Sequence, residues 1–394
     1  MKKVFLTVPQ LPKHKQITFE DMLAGITDLG HYVMWSPTGT ITRCVNASTK
    51  LEKAKVIPDM LKQLRVYMEA VQVIGLFDCD LHDHYKTFHV PKRSGGLRKI
   101  CAPDEILSGA LRMLGGLFTE WMPATYHTSA FAYINGRSTV DERKRHQSWD
   151  SKWYGYFDFH DFFGSTTKEF VMKMLGMIYP FNFIMRYSEG KQNLEKALDL
   201  AFLDGGLPQG TPLSPLLTNI IMIPFDHIMT QKLHHYTNPR AKDGYDRFIY
   251  TRYADDISIS CRNEFDVEVI QQLILDTLGQ LGAKFTLNTS KTKYQSRNGK
   301  NFHLGVIINQ ENNITLGHQK KRRIKAMVSN YIMDKKNEVM WDVHDVQILN
   351  GQLAYYNKVE ADSCKEMVNK FNNKYDVDLM KMVHEDLKNS EENV

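Results

Sequence analysis

Two adjacent carboxylates, Asp255 and Asp256, stand in the tetrapeptide Tyr253-Ala254-Asp255-Asp256, between two stretches that read as β-strands. Like charges held side by side at a hairpin turn repel, and little nearby neutralises them. A divalent cation removes that cost; a solvated Asp-Asp turn is the other reading of the dipeptide taken alone. A third acid, Asp158, lies in the aromatic run Trp153-Tyr154-Gly155-Tyr156-Phe157-Asp158-Phe159, which continues as His160-Asp161-Phe162-Phe163-Gly164. An acid inside an apolar run needs a partner, and a metal ion shared with Asp255 would supply one.

The elements that must position these acids are readable around them. From Arg247 to Tyr253 the residues are β-formers, and after the acid pair Ile257, Ile259 and Cys261 alternate with Ser258 and Ser260, the pattern of a half-buried strand. Between the two acidic places runs Gly205-Gly206-Leu207-Pro208-Gln209-Gly210-Thr211-Pro212-Leu213-Ser214-Pro215, a Gly/Pro-rich turn opening into an apolar helix expected from Ser214 to Leu233. A mainly helical lead-in is expected over residues 1–80, most periodic from Leu51 to Val73. A hairpin follows at 85–102, then a helical stretch to about 125. One or two helices are expected over 166–200, a helix at 265–281, and strands near 284–288 and 302–308. This βαββαβ order gives an antiparallel sheet with helices on one face, as in ferredoxin-like folds. Further on, Ile324, Met327, Val328, Tyr331 and Ile332 form a helical stripe.

Composition bounds the rest. A chain of 394 residues allows two or three subdomains. No apolar run approaches the roughly 20 residues that span a bilayer. The N-terminal stretch Met1 to Pro9 is too short for a signal peptide. Five scattered cysteines (Cys44, Cys79, Cys101, Cys261, Cys364) form no CxxC pair and read as reduced thiols, with a cytoplasmic location expected. Net charge is only +5, but residues 283–325 carry ten Lys or Arg against a single acid, Glu311, a distribution that attracts phosphate backbones. His82-Asp83-His84 lacks a downstream Cys/His pair and is read as a surface feature. The acidic end (Glu385, Asp386, Glu391, Glu392) reads as a frayed tail.

Taken in order, the motifs resemble a bacterial reverse transcriptase of the retron or group II intron type. They are the basic hairpin Pro91-Lys92-Arg93-Ser94-Gly95-Gly96-Leu97-Arg98, the segment Phe131-Ala132-Tyr133-Ile134-Asn135-Gly136-Arg137-Ser138, the Asp158 strand, the Pro208-Gln209-Gly210 turn, the Tyr253-Ala254-Asp255-Asp256 hairpin, Asn288-Thr289-Ser290-Lys291-Thr292 and Phe302-His303-Leu304-Gly305. The likeness covers roughly residues 85 to 310, and more weakly extends to about 360, where Asn350-Gly351-Gln352-Leu353-Ala354-Tyr355-Tyr356 resembles the thumb segment. It departs at Gly305-Val306-Ile307-Ile308-Asn309, which lacks the Val-Thr-Gly element usual in retron enzymes.

The resemblance implies an α+β right-hand polymerase: a helical extension over 1–84, fingers over 85–150, a ferredoxin-like palm over 151–312 with finger helices near 166–200, and a helical thumb with acidic tail over 313–394. It implies an RNA-directed DNA polymerase that makes cDNA from a dedicated structured noncoding RNA, with dNTPs as substrates and a role in antiphage defence. Two Mg²⁺ ions would do the nucleotidyl transfer. Asp158 and Asp255 would be direct ligands, Asp256 a supporting or intermittent one, and the Phe159 carbonyl a further oxygen. Arg98, with Lys92 or Arg93, matches the cations that grip the triphosphate. Gln209 matches the residue against the incoming sugar and templating pair, and Phe163 the aromatic that blocks a ribose 2′-hydroxyl. Lys291 matches a lysine that protonates the leaving pyrophosphate. Lys320, Lys321, Arg322, Arg323 and Lys325 would contact nucleic acid, and the His82 cluster could touch RNA. Other readings are an RNA-dependent RNA polymerase, which Ala254 and Phe163 argue against, a template-independent or protein-primed DNA polymerase, and a maturase-like RNA scaffold. The oligomeric state is not legible.

Overall fold

In a computed structural model the chain is described over residues 32–35, 41–44, 47–92, 95–122, 127–241, 246–299 and 301–391. These residues fall into two compact units, one drawn from residues 1–138 and 155–294, the other from 139–154 and 295–394.

Among the described residues the first element of this unit is a short antiparallel ribbon, β1 (Tyr32–Trp35) and β2 (Ile41–Cys44), inside the expected helical lead-in, whose residues 1–31 lie outside the described residues. The helix Ala47–Val73 follows and buries the expected stripe, including Ile57, Leu64, Tyr67, Met68 and Val71. β3 (Tyr85–Pro91) and β4 (Leu97–Pro103) form the basic hairpin, with Val90 opposite Arg98. Asp104 then starts the helix Glu105–Trp121 by accepting a hydrogen bond from the Leu107 amide at 2.8 Å.

The central sheet is built from β5 (Trp153–His160), β6 (Ile249–Tyr253), β7 (Asp256–Cys261), β8 (Thr286–Leu287) and β9 (Lys293–Ser296). Its path is β6-β7-β5-β8, with β9 also pairing β5. Strand, helices, two strands, the helix Val267–Leu281 and a last strand along the chain, with the first strand β5 placed between β7 and β8 in the sheet, make the ferredoxin-like arrangement, and the fold class is α+β. The β6–β7 hairpin is antiparallel, with Tyr253 opposite Asp256, and β5 is antiparallel to β8, with Phe159 opposite Leu287.

Three local readings are corrected. β7 is buried on both faces, Ser258 and Ser260 included, and it lies between β6 and β5; alternation of small polar residues there did not mean solvent. The apolar run expected as one helix breaks at Met222 into Ser214–Ile221 and Ile223–His235, since Pro224 has no amide to continue the first helix. Residues 166–200 hold three helices, Lys168–Leu175, Phe181–Ile184 and Ser188–Asp199, rather than one or two.

The second unit is mostly helical. β10 (Ile307–Ile308) and β11 (Ile314–Thr315) form their own ribbon, so the strand expected near 302–308 does not join the central sheet. The helices Thr139–Gln147, His318–Lys336, Val343–Val359, Ala361–Tyr375 and Leu379–Glu391 complete the unit. Ile324, Val328, Tyr331 and Ile332 of the expected stripe face its core with Leu349, Leu353 and Tyr356.

Candidate active site

The two acidic places of the sequence meet on neighbouring strands of the first unit. Asp158 is the sixth residue of β5 and is 7% exposed; Asp255 stands at the β6–β7 turn, half-buried. The Phe159 amide donates to the Asp255 carbonyl at 3.2 Å, which ties the turn to β5. The Asp158 side chain accepts a hydrogen bond from Lys291 Nζ at 2.8 Å, and its backbone carbonyl accepts from the Asn288 amide at 2.8 Å. Lys291 ends the 3-10 turn Thr289–Lys291, so the segment after β8 delivers one ammonium to the first acid. That hydrogen bond, with the surrounding carboxylates, raises the Lys291 pKa and keeps it charged.

Burial, and then the negative charge of Asp158, push the Asp255 carboxyl above the usual carboxylate range. Its own backbone amide, Lys291 and Arg98 pull the other way. The site is therefore short of positive charge. The side-chain donors at the pair are carboxylate oxygens, with no thiolate or imidazole, and that set suits a hard cation such as Mg²⁺. Asp256 is half-buried beside Asp255, yet among the described residues no three His, Cys, Asp or Glu side chains form a ready-made cage.

Behind the acids the same hairpin is closed by a polar network that sequence reading missed. Arg252 is fully buried, and its Nε and Nη2 each donate to Asp226 at 2.8 Å. Arg252 Nη1 donates to the Ala254 carbonyl at 3.1 Å and to Asn219 at 3.3 Å. Ala254 adopts a left-handed φ of 58°, costly for a residue with a Cβ, so the guanidinium fixes the strained residue that aims Asp255. Burial opposes the Arg252 charge, and Asp226 more than restores it; Tyr250 completes the set by donating to Asp226 at 2.6 Å. The available signal was Asp226 itself, an acid within the apolar run Ile223-Pro224-Phe225-Asp226.

The remaining predicted residues are distributed around the acids. Arg98 is exposed on β4, with its charge felt at Asp255. Lys92 lies at the exposed tip, where its amide donates to the Gly96 carbonyl at 2.9 Å. Arg93 lies outside the described residues. Gln209 is half-buried, and its carbonyl accepts from the Cys101 amide at 2.8 Å, which docks the Pro-Gln-Gly turn on β4. Gly210 permits that contact: its φ is +116°, and a Cβ there would stand 2.9 Å from the Cys101 carbonyl oxygen. The other end of the turn holds Phe163, whose carbonyl accepts from the Leu207 amide at 3.0 Å. A Cβ at Gly206 would collide with the Gly164 carbonyl oxygen at 2.3 Å. Phe162 is core, 2% exposed, whereas Phe163 is half-exposed and meets Tyr133 edge-on at 6.4 Å. The Phe159 ring is buried against Phe162, Phe225 and Phe285, so only its backbone is available to a ligand.

In the second unit, Lys320 lies over the Tyr355 ring at 4.1 Å, and Lys321 is ion-paired with Glu360. Arg322, Arg323 and Lys325 are exposed. His82 and His84 bond to Asp204 and Asp104, at 3.1 and 2.7 Å. The described cysteines, Cys79, Cys101, Cys261 and Cys364, are free thiols. No described helix is long and apolar enough to cross a membrane.

A family model described as reverse transcriptase (RNA-dependent DNA polymerase) matches residues 90–322, more than half of the chain. The chain belongs to the reverse transcriptase family, and is an RNA-directed DNA polymerase with the right-hand fold of that family. It is similar to the retron Ec83 reverse transcriptase of Escherichia coli, 25% identical over 295 residues that cover 73% of this chain and 87% of that one. It also matches the retron Ec73 enzyme of Escherichia coli, at 27% over 74% of this chain and 86% of that one. Among solved structures, apo telomerase from Candida tropicalis aligns with a TM-score of 0.44 and 10% identity, over 91% of this chain and 70% of that one.

Proposed function

We propose that this polymerase copies a dedicated structured noncoding RNA into cDNA with two Mg²⁺ ions, in the cytoplasm and in the service of antiphage defence. The observation that carries the chemistry is the pairing of Asp158 and Asp255 on adjacent strands, with Lys291 as the cation on Asp158. Its retron relatives support the choice of template class.

Asp158 and Asp255 would hold the metal ions, with Asp256 supporting them and the Phe159 carbonyl offering another oxygen. When bound, the ions supply charge neutralisation on the triphosphate and activate the primer 3′-hydroxyl. Arg98 and Lys92, with Arg93, bind the triphosphate oxygens, and Lys291 donates a proton to the leaving pyrophosphate. Gln209, docked on β4, supports the incoming sugar and templating pair. The Phe163 ring fills the space a ribose 2′-hydroxyl would need and offers it no hydrogen bond, which selects dNTPs. Exposed Arg322, Arg323 and Lys325 bind nucleic-acid phosphate, and Lys320 and Lys321 contribute to that surface.

The test is to sequence the nucleic acid that co-purifies with the wild type and with Asp255→Asn, each expressed from the native locus. One dominant structured RNA in both, with complementary DNA only in the wild type, is expected. DNA without a complementary RNA would replace this reading with untemplated or protein-primed synthesis. RNA without DNA in either sample would leave a scaffold. Loss of phage resistance in Asp255→Asn cells is the expected biological result; unchanged resistance would remove the defence role.

A further inference from the structure

Tyr133 is placed in a way that core packing does not explain. Its neighbours Phe131, Ala132 and Ile134 are all buried, yet Tyr133 is 51% exposed and holds a left-handed φ of 57°. That backbone is unfavourable for a bulky residue and persists only where the surroundings enforce it. The surroundings do so from several sides. The Arg137 guanidinium donates to the His127 and Ala130 carbonyls and closes the segment on itself. Asn219 donates to the Ala132 carbonyl at 2.9 Å. The backbone of Arg252 pairs with both Ser129 and Phe131, at 2.7 and 2.9 Å. The same Arg252 and Asn219 belong to the network that fixes the Asp255 turn, so one buried frame sets the acid and the exposed ring together.

The ring so held stands edge-to-face with Phe163, at 6.4 Å between centroids and 73° between planes. Phe163 meets the buried Phe162 on another side, at 5.7 Å. Asp255 and Arg98 both act electrostatically on the Tyr133 hydroxyl. A half-exposed phenylalanine on a loop can rotate; an aromatic neighbour fixed at a strained position limits that rotation.

We infer that Tyr133 is a positioning residue for Phe163, holding that ring where it excludes a ribose and thereby setting the preference for dNTPs over NTPs. This inference rests on the reading of Phe163 as the sugar-excluding residue. An edge-to-face contact of this kind corresponds to roughly a three- to tenfold effect.

The experiment measures incorporation of dTTP and of the matching ribothymidine triphosphate on a poly(rA) template with an oligo(dT) primer. Wild type is compared with Tyr133→Ala, Tyr133→Phe, Tyr133→Leu, Phe163→Ala and the Tyr133→Ala/Phe163→Ala double variant. Tyr133→Ala is expected to raise relative ribonucleotide use roughly three- to tenfold through a lower ribonucleotide KM, with kcat for dTTP within about threefold of wild type. Tyr133→Phe keeps the ring and stays within about twofold. Tyr133→Leu loses it and relaxes selection, a second readout if the alanine variant folds poorly. Phe163→Ala relaxes selection more, and the double variant adds little to it. Selection relaxed by Phe163→Ala but unchanged by both Tyr133→Ala and Tyr133→Leu overturns this inference and leaves the role of Phe163 standing. Multiplicative effects in the double variant overturn it as well, since Tyr133 would then act apart from Phe163. Unchanged selection in Phe163→Ala overturns both.

Discussion

The two sides of the Asp255 hairpin handle buried charge in opposite ways. On one side Arg252 and Asp226 form a two-pronged pair, with Tyr250, Asn219 and the Ala254 carbonyl taking further hydrogen bonds. On the other side Asp158 and Asp255 repel, and Lys291 is bonded to Asp158. A closed network gives a fixed turn and no chemistry; an acid pair short of cations costs stability in the folded chain, a cost that the proposed metal ions would relieve. The hairpin needs both, because the acids must stay aimed while Lys291 and Arg98 offset only part of their charge.

The largest expected effect separates the sides by function. Asp255→Asn should lower primer extension at least about 10³-fold, while RNA binding, read by filter retention, stays within about threefold. Extension within tenfold of wild type would remove Asp255 from the chemistry. Next, Arg252→Ala strands the buried Asp226 carboxylate and should cost about 3–5 kcal/mol in urea unfolding, whereas a joint Arg252→Met/Asp226→Leu change recovers most of that. A single variant as stable as the wild type would mean that the network does not hold the hairpin. Lys291→Gln should slow single-turnover extension about 10²-fold and flatten the alkaline limb of its pH profile. An unshifted pH profile would make Lys291 a structural partner of Asp158 only.

The smallest effect concerns the closed side under acid. His227 is 5% exposed beside His127; burial first, then electrostatic repulsion from His127, lowers its pKa to about 3. Between the unfolded value near 6.5 and that folded value, the unfolded chain binds a proton that the folded chain refuses. Stability contributed by neutral His227 is therefore intact above about pH 6.5 and falls by about 1.4 kcal/mol per pH unit below it, about 2 kcal/mol by pH 5. His227→Gln should make the acid limb of the stability curve shallower by that amount, measured by chemical unfolding from pH 7 to 5. An equal slope in the variant would assign the acid sensitivity to other groups.

What was legible in the sequence follows from how local each signal is. The strand around Asp158 and the β6–β7 hairpin are contiguous patterns of β-forming residues, and their order along the chain was enough for a ferredoxin-like sheet. The Arg252–Asp226 pair was not legible, because its members lie on different elements and nothing in the local pattern links them. The half-buried reading misplaced Ser258 and Ser260: an alternating pattern cannot distinguish a solvated face from a covered one. β8 has two residues and β9 four, too short for any periodicity. The break at Met222 is signalled by Pro224 within the apolar run. Nothing in the sequence singles out Tyr133, since its exposure and positive φ are set by Arg137, Asn219 and Arg252 rather than by its neighbours in sequence.

The Asp158–Asp255 pair is proposed as a seat for Mg²⁺ that the ion-free fold tolerates at a cost. Thermal unfolding of wild type and Asp255→Asn, in chelator and then in rising Mg²⁺, measures it without any catalysis. In chelator the variant is expected to unfold at the higher temperature, since one of two repelling charges is gone, and Mg²⁺ is expected to raise the wild type and narrow or reverse the gap. A variant that unfolds below the wild type in chelator, or that gains as much from Mg²⁺ as the wild type does, would contradict it.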